Sequence, residues 1–342
     1  MGTEDFYRRE HMSKLPIAFC LLAMTFLFSP ANAKDYTGIY STKTLTEAKE
    51  TYEKNLRGIW TEDLIAKLPG SYRQAAVGIS LKIPLYGQRA EPLEYYAKPK
   101  EREVTIPVFS VKFLDDICTA YAYMERHKCD NGAISDYVGM LRYQDSANLP
   151  NGRFPPPLSA LGLPSNPWDD KWVYKSSGNA LKSSVYFLMA HELAHVVYSH
   201  RSYDSITAIE AQAQEIQADA FALDIMARIG VAPIAMSLFF AIASRFEAAP
   251  GDFATWSGFE FYLREHSTHP LTSERLSRVA EYIRNNVDSF IRLEPNFPRS
   301  RMIKMADDIQ KIGQSLNDRA IREYQRRRSL TTSWNQIASV CN

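Results

Sequence analysis

Two histidines and a glutamate near the middle of the chain have the types and spacing of a metal site. His191 and His195 are four residues apart, so on a helix their side chains project from one face, about one turn from each other. A single tetrahedral zinc ion can bind both imidazoles, and the carboxylate of Glu192 can reach a water molecule at the metal. The flanking residues are mostly apolar, which predicts a buried helix. Polar groups buried there need partners, and this favours a bound metal.

A catalytic zinc site also needs a third protein ligand. His200 lies five residues beyond His195 and is rotated away from the ligand face, so we expect a helix-end residue favoured by the helix dipole. Glu215 lies among apolar residues on the next predicted helix, and Asp219 follows one turn later on the same face. We predict Glu215 as the third ligand and Asp219 as the carboxylate that orients a ligating histidine. The alternative is that both acids lie on a solvated face.

Three motifs together resemble those of the HtpX-like gluzincin metallopeptidases. They are His191-Glu192-x-x-His195, Glu215-x-x-Ala218-Asp219, and His269-Pro270 followed by Arg275. The resemblance implies one zinc ion per chain held by two histidines and a glutamate, endopeptidase activity, and a predominantly helical zincin-type catalytic domain with a small sheet. It covers roughly residues 185–283. The phage-exclusion peptidases share a similar pair of motifs and remain a rival family with the same chemistry.

The chain departs from that family in two respects. The transmembrane helices of HtpX itself are missing, so the resemblance implies an exported, soluble member of a group that includes periplasmic quality-control proteases. The region before the proline-rich stretch matches no family, so substrate choice does not carry over.

The predicted reaction is hydrolysis of peptide bonds in an unfolded or extended polypeptide. Glu192 is expected to take a proton from water and to deliver it to the leaving amine. The segment from His269 to Arg275 is expected to supply a second donor to the developing oxyanion. The alternative for this segment is structural, with Pro270 starting a helix and Arg275 pairing with an acid.

Two other classes of function remain open at this point. The first is a metal-stabilised binding or chaperone-like envelope protein without turnover. The second is a zinc hydrolase of non-peptide amide bonds, such as those of the cell wall. The balance of 40 basic against 39 acidic residues argues against a third class, the nucleic-acid-binding proteins.

The N-terminal residues 1–33 have the features of a secretory signal. Lys14 precedes an apolar run, and Ala31-Asn32-Ala33 is a small-x-small cleavage site, so we expect the mature chain to start near Lys34. Met12 is an alternative start, and an uncleaved membrane anchor is an alternative interpretation. The prediction is an exported protein, periplasmic in a bacterium or secreted. No later stretch is long enough to cross a bilayer, while peripheral membrane contact is left open.

Cysteine usage gives one further expectation. In an oxidising compartment Cys118 and Cys129 are the more plausible disulfide pair, closing a short loop at the end of a helix. The alternative is that these two residues and Cys341 are buried thiols.

The predicted fold class is α+β, with a small α+β N-terminal region ahead of the helical zincin-type catalytic domain. Alternating apolar residues predict strands within residues 75–86 and 103–112. Residues 168–175 could form an exposed edge strand, a candidate rim for an extended substrate. The predicted divisions are the signal peptide 1–33, the N-terminal region 34–142, a proline-rich loop 143–178, the metallopeptidase core 179–285 and a C-terminal helical region 286–342.

Overall fold

The computed structural model describes residues 34–149, 151–233, 235–292 and 297–341. The predicted signal peptide, its cleavage site and the alternative start at Met12 lie outside these residues. From Asp35 onward the chain forms one unit of the fold.

The described residues are mainly helical. The strands are β1 (Ser80–Lys82), β2 (Tyr96–Lys98) and β3 (Glu103–Thr105). The helices are α1 (Thr42–Gly58, continued by the π-helix Ile59–Ile65), α2 (Gly70–Ala76), α3 (Val108–His127), α4 (Gly132–Tyr143), α5 (Pro157–Ala160), α6 (Lys171–Val197), α7 (Ala208–Ile229), α8 (Met236–Ala243), α9 (Trp256–Glu265), α10 (Thr272–Asn285), α11 (Val287–Ile291), α12 (Arg299–Asn317), α13 (Arg319–Thr331) and α14 (Trp334–Ile337). The predicted α+β class, mostly helical with a small sheet, is confirmed.

The sheet has the strand order β1-β3-β2, with β1 parallel and β2 antiparallel to β3. Val104 of β3 pairs with Leu81 on one side and with Ala97 on the other. The strands are shorter than the alternating pattern predicts, because Pro84 and Pro107 follow β1 and β3 closely and cannot donate to a ladder. Pro107 is also the N-cap residue of α3.

The predicted edge strand at residues 168–175 is wrong. Residues 167–169 form a 3₁₀ turn, and α6 begins at Lys171. The side chain of Asp170 accepts hydrogen bonds from the backbone N–H groups of Trp172 and Val173, at 2.7 and 3.2 Å. This N-cap starts the helix and removes the proposed substrate rim.

The two helices that carry the metal motif pack against each other in the core. α6 lies between α3 and α7, and its residues 183–196 are buried on every side. A capping box of Thr207 and Glu210 starts α7, and Gly230, at φ +71°, ends it in the left-handed conformation. Within the described part of the chain, every helix is too short or too polar to span a membrane.

The predicted disulfide is also wrong. Cys129 pairs with Cys341, and Cys118 is a buried free thiol within α3. α3 runs on to His127, so at 1.5 Å per residue the Cα atoms of Cys118 and Cys129 are roughly 13 Å or more apart. That separation exceeds the roughly 7 Å that a disulfide can bridge.

Candidate metal centre

The first side chains of the centre come from the buried middle of α6. His191, Glu192 and His195 are 5%, 8% and 6% exposed. The ring of Phe187, one turn earlier, stacks on the imidazole of His191. The apolar sequence around the motif therefore leaves these polar groups little exposed to solvent.

Glu215 on α7 completes a group that could hold a metal ion. The Nε2 atoms of His191 and His195 are 3.2 Å apart. The Glu215 carboxylate lies 3.3 Å from each, through Oε2 to His191 and through Oε1 to His195. Glu215 is 1% exposed, and its Oε2 is buried without a hydrogen-bond partner. A buried carboxylate oxygen without a hydrogen-bond partner is a candidate ligand for a cation.

The electrostatics of this group favour a positive charge. Burial opposes ionisation of Glu215, but His269 and His191 hold its pKa well below the usual value. Burial likewise disfavours a charged His191, yet the carboxylates of Glu215 and Asp219 raise its pKa to about 10. A proton or a metal ion can supply the charge that the cluster attracts.

Asp219 lies directly behind His191. Its Oδ1 is 2.9 Å from Nδ1 of His191, and both carboxylate oxygens accept hydrogen bonds from Arg275 on α10, at 2.6 and 2.8 Å. Burial opposes ionisation of Asp219, while Arg275 and His191 keep its pKa below the usual value. Since Glu215 and Asp219 are 1% and 3% exposed, the alternative of a solvated face is wrong.

His200 and Gln217 extend the centre behind His195. Nδ1 of His200 lies 2.9 Å from Nδ1 of His195, and its Nε2 lies 3.0 Å from Oε1 of Gln217. His200 lies just beyond the C-terminal end of α6, as expected, but burial lowers its pKa and so disfavours the charged form. α6 has ended before this point, and Ser199, at φ +53°, turns the chain back. The helical rotation that separated His200 from the ligand face therefore does not apply.

Tyr203 and His269 border Glu215 on its other side. The hydroxyl of Tyr203 donates to Oε1 of Glu215, and Nε2 of His269 lies 3.5 Å from Oε2. The two rings meet edge to face, and the His269 side chain is half exposed. Neither Tyr203 nor Gln217 carries a local sequence signal, since each is recognisable only from its contact with the motif.

Arg275 pairs with an acidic residue, which is the structural alternative to a catalytic role. Its guanidinium pairs with Asp219 and lies over the ring of Phe240, 4.7 Å from the ring centroid. Its Nη2 is 3.9 Å from Oε2 of Glu215. Pro270 lies one residue before Leu271, the N-cap residue of α10, so the helix begins two residues after the proline.

A family model described as Peptidase U49 matches residues 165–293. The match indicates a peptidase family. It extends from just before α6 to just after α11 and includes His191, His195, Glu215, His269 and Arg275. No curated protein and no solved structure gives a match. A peptidase is a hydrolase that acts on polypeptides, and the finer resemblance to the HtpX-like gluzincins stays a prediction.

Glu192 is the acidic residue of the metal motif that is not one of the three candidate ligands. Burial raises the pKa of its carboxyl group, and the neighbouring His191 and His195 oppose the rise. Among the described residues, no hydrogen bond engages this carboxylate. It is therefore available to exchange a proton with a reacting molecule.

Proposed function

We propose that the protein is a zinc-dependent endopeptidase of the cell envelope. The observation that carries the proposal is the spacing of the three ligand groups. Four ligands at 2.0–2.1 Å from a tetrahedral zinc ion are separated from one another by about 3.3 Å. The Nε2 atoms of His191 and His195 are 3.2 Å apart, and each lies 3.3 Å from one oxygen of the Glu215 carboxylate, Oε2 for His191 and Oε1 for His195.

The partners of both histidines support the same assignment. The Asp219 carboxylate, 2.9 Å from Nδ1 of His191, favours a proton on that nitrogen, which leaves Nε2 with a free lone pair. For His195, the Nε2–H of His200 donates to Gln217, and Nδ1 of His200 then accepts the Nδ1–H of His195. This tautomer of His195 again leaves its Nε2 free for a metal.

Zinc bound by His191, His195 and Glu215 would polarise the scissile carbonyl and lower the pKa of water. Glu192 then takes one proton from the attacking water, whose oxygen bonds to the acyl carbon. As the carbon–nitrogen bond breaks, Glu192 delivers this proton to the leaving amine. The raised pKa of its buried carboxyl group favours holding the proton between these two steps.

The two residues of the third motif have different roles in this proposal. His269 is half exposed beside Glu215, where its Nε2–H can donate to the substrate oxygen as negative charge develops. Arg275 is a positioning residue, since it holds Asp219, which in turn orients His191. The proposal therefore assigns the oxyanion donor to His269 alone.

The Cys129–Cys341 disulfide supports export, because disulfides persist in oxidising compartments. It supports the same location as the predicted signal peptide, although the pairing differs from the expected one. We propose an unfolded or extended envelope polypeptide as the substrate, with a role in protein quality control.

The test is Glu192→Gln, measured by zinc content and by digestion of casein. We expect zinc to be retained and cleavage to be lost by at least about 100-fold, since the general base is missing. Glu62→Gln, at an exposed position of the π-helix, is the matched control and should cleave normally. Retained cleavage in Glu192→Gln would refute the assignment.

The same preparation separates the other two classes of function. Equal suppression of aggregation by wild type and Glu192→Gln, with no turnover of casein, would favour a chaperone-like protein. Digestion of peptidoglycan but not casein would favour a hydrolase of cell-wall amides.

A further inference from the structure

A cleft of about 660 Å³ opens between α1, its π-helical continuation and β1. Its volume lies within the range of ligand-binding pockets. It shares no residue with the metal centre. It is lined by Lys49, Glu53, Arg57, Trp60, Thr61, Ser80, Leu81, Lys82, Ile83 and Pro84.

One wall of the cleft is an unpaired sheet edge. The N–H of Ser80 donates to Arg102 O, and Lys82 O accepts from the N–H of Ile106, both at 2.9 Å. In a parallel ladder, Ser80 and Lys82 therefore direct their backbone groups toward β3, and Leu81 and Ile83 direct theirs the other way. Among the described residues, no hydrogen bond engages the backbone groups of Leu81 or Ile83 on that outer side.

Unpaired backbone groups at every second residue match an extended polypeptide. Another strand could pair with the N–H and C=O of Leu81 and Ile83 without displacing any existing bond. The side chains of Leu81 and Ile83 are buried in the core, so the edge is held in place. The cleft beside it provides room for the added chain.

The charges at the cleft favour an acidic segment. Lys49, Arg57 and Lys82 face it with Glu53 as the only acid of its lining. Glu53 lies within ion-pair distance of both Lys49 and Arg57, and the Lys82 side chain is 55% exposed and 4.0 Å from Glu103. The Arg57 and Lys82 side chains are similarly exposed, at 53% and 55%, but Arg57 is 2.5 Å from Glu53 while Lys82 is 4.0 Å from Glu103, so Lys82 is the more loosely paired cation.

We propose that this cleft binds an extended, acidic segment of the polypeptide substrate as a fourth strand on β1, with a carboxylate beside Lys82. The inference rests on the proposed peptidase function for the identity of the partner. Pairing at the edge supplies affinity without strong dependence on sequence, and Lys82 supplies the preference for acidic residues.

The test uses the full chain carrying Glu192→Gln, so that bound peptide is not cleaved. The probe is an acetylated, amidated peptide of sequence Thr-Val-Glu-Val-Glu-Val-Thr, and binding is followed by NMR. At saturation, we expect amide hydrogen exchange of Leu81 and Ile83 to slow by about tenfold or more, because both N–H groups gain an acceptor. Exchange at Ser80, already bonded to Arg102, should not change.

Two matched controls separate edge pairing from charge attraction. The same peptide N-methylated at alternate residues should lose binding, because it lacks the donors that pair with β1. Lys82→Glu should weaken binding of the acidic peptide by about fivefold, the upper range for one exposed ion pair. Lys43→Glu, on α1 outside the cleft and 85% exposed, should bind as before.

Two results would overturn the inference. One is the absence of binding at millimolar peptide, in which case Lys82 simply protects the edge against aggregation. The other is binding that leaves exchange at Leu81 and Ile83 unchanged. If wild type still cleaves casein, only this inference fails, whereas peptide binding by a wild type that cleaves nothing would count against the proposed function.

Discussion

At the scale of single residues, each of the three candidate ligands at the metal centre contacts a further polar side chain. Asp219 contacts Nδ1 of His191, and His200 contacts Nδ1 of His195. Tyr203 donates a hydrogen bond to Glu215. These contacts select the tautomer and orientation that metal binding requires.

His200 provides the test at this scale. His200→Ala should weaken zinc binding by about 10- to 100-fold, the usual effect of losing a residue that orients a ligand. The measurement is competition for zinc with a chelator of known affinity, and it needs no substrate. His266→Ala, at an exposed histidine after α9, is the matched control and should bind zinc normally.

Unchanged zinc affinity in His200→Ala would contradict this prediction. It would mean that His195 is oriented by packing against its neighbours rather than by the His200–Gln217 contact. His200→Gln, which keeps an acceptor on the side chain, should recover part of the lost affinity.

At the scale of elements, an ion pair joins the third motif to the metal helices. Arg275 on α10 reaches Asp219 on α7, which contacts His191 on α6. Both partners of the ion pair are buried, so removing one leaves an uncompensated charge. Within the third motif, Arg275 therefore has a structural role, whereas His269 lies beside the metal group.

Arg275→Ala should lower the free energy of unfolding by about 3–5 kcal/mol, the range for breaking a buried ion pair. Urea unfolding of the metal-free protein measures this directly. Arg228→Ala breaks an exposed pair with Asp224 on α7 and should cost at most about 1 kcal/mol. Equal effects of the two substitutions would contradict the buried role of Arg275.

Sequence reasoning could predict the elements wherever local periodicity decided the structure. The apolar residues around both motifs predict two helices, and the four-residue spacings of His191 and His195 and of Glu215 and Asp219 place each pair on one face. The lengths of the strands are overestimated. An alternating apolar pattern indicates which side chains are buried, whereas Pro84 and Pro107 limit how far the strands can pair. The contact of His200 with His195 is not predicted, because helical geometry does not apply beyond the end of α6, where Ser199 turns the chain back.

At the scale of the whole molecule, the C-terminal helices contact elements from both halves of the chain. α12 packs on α10, and α13 packs on α4. The buried Arg245 bonds to Ser329, and Cys341 is joined to Cys129 beyond the end of α3. A partner 212 residues away along the chain could not be predicted from local cysteine spacing.

The disulfide can be tested without any assay of function. Peptide mapping by mass spectrometry under non-reducing conditions should find Cys129 joined to Cys341 and Cys118 as a free thiol. Cys341→Ser should lower the free energy of unfolding by about 2–4 kcal/mol, because a long loop is no longer closed in the unfolded state. A peptide joining Cys118 to Cys129 would contradict the observed fold of α3.

The measurement that tests the central claim most directly is the metal content of the purified protein. We predict about one zinc ion per chain, lost in Glu215→Ala and retained in Glu210→Ala, an exposed acid earlier on α7. Zinc that survives Glu215→Ala would move the third ligand elsewhere. A chain that binds no zinc after reconstitution would contradict the account.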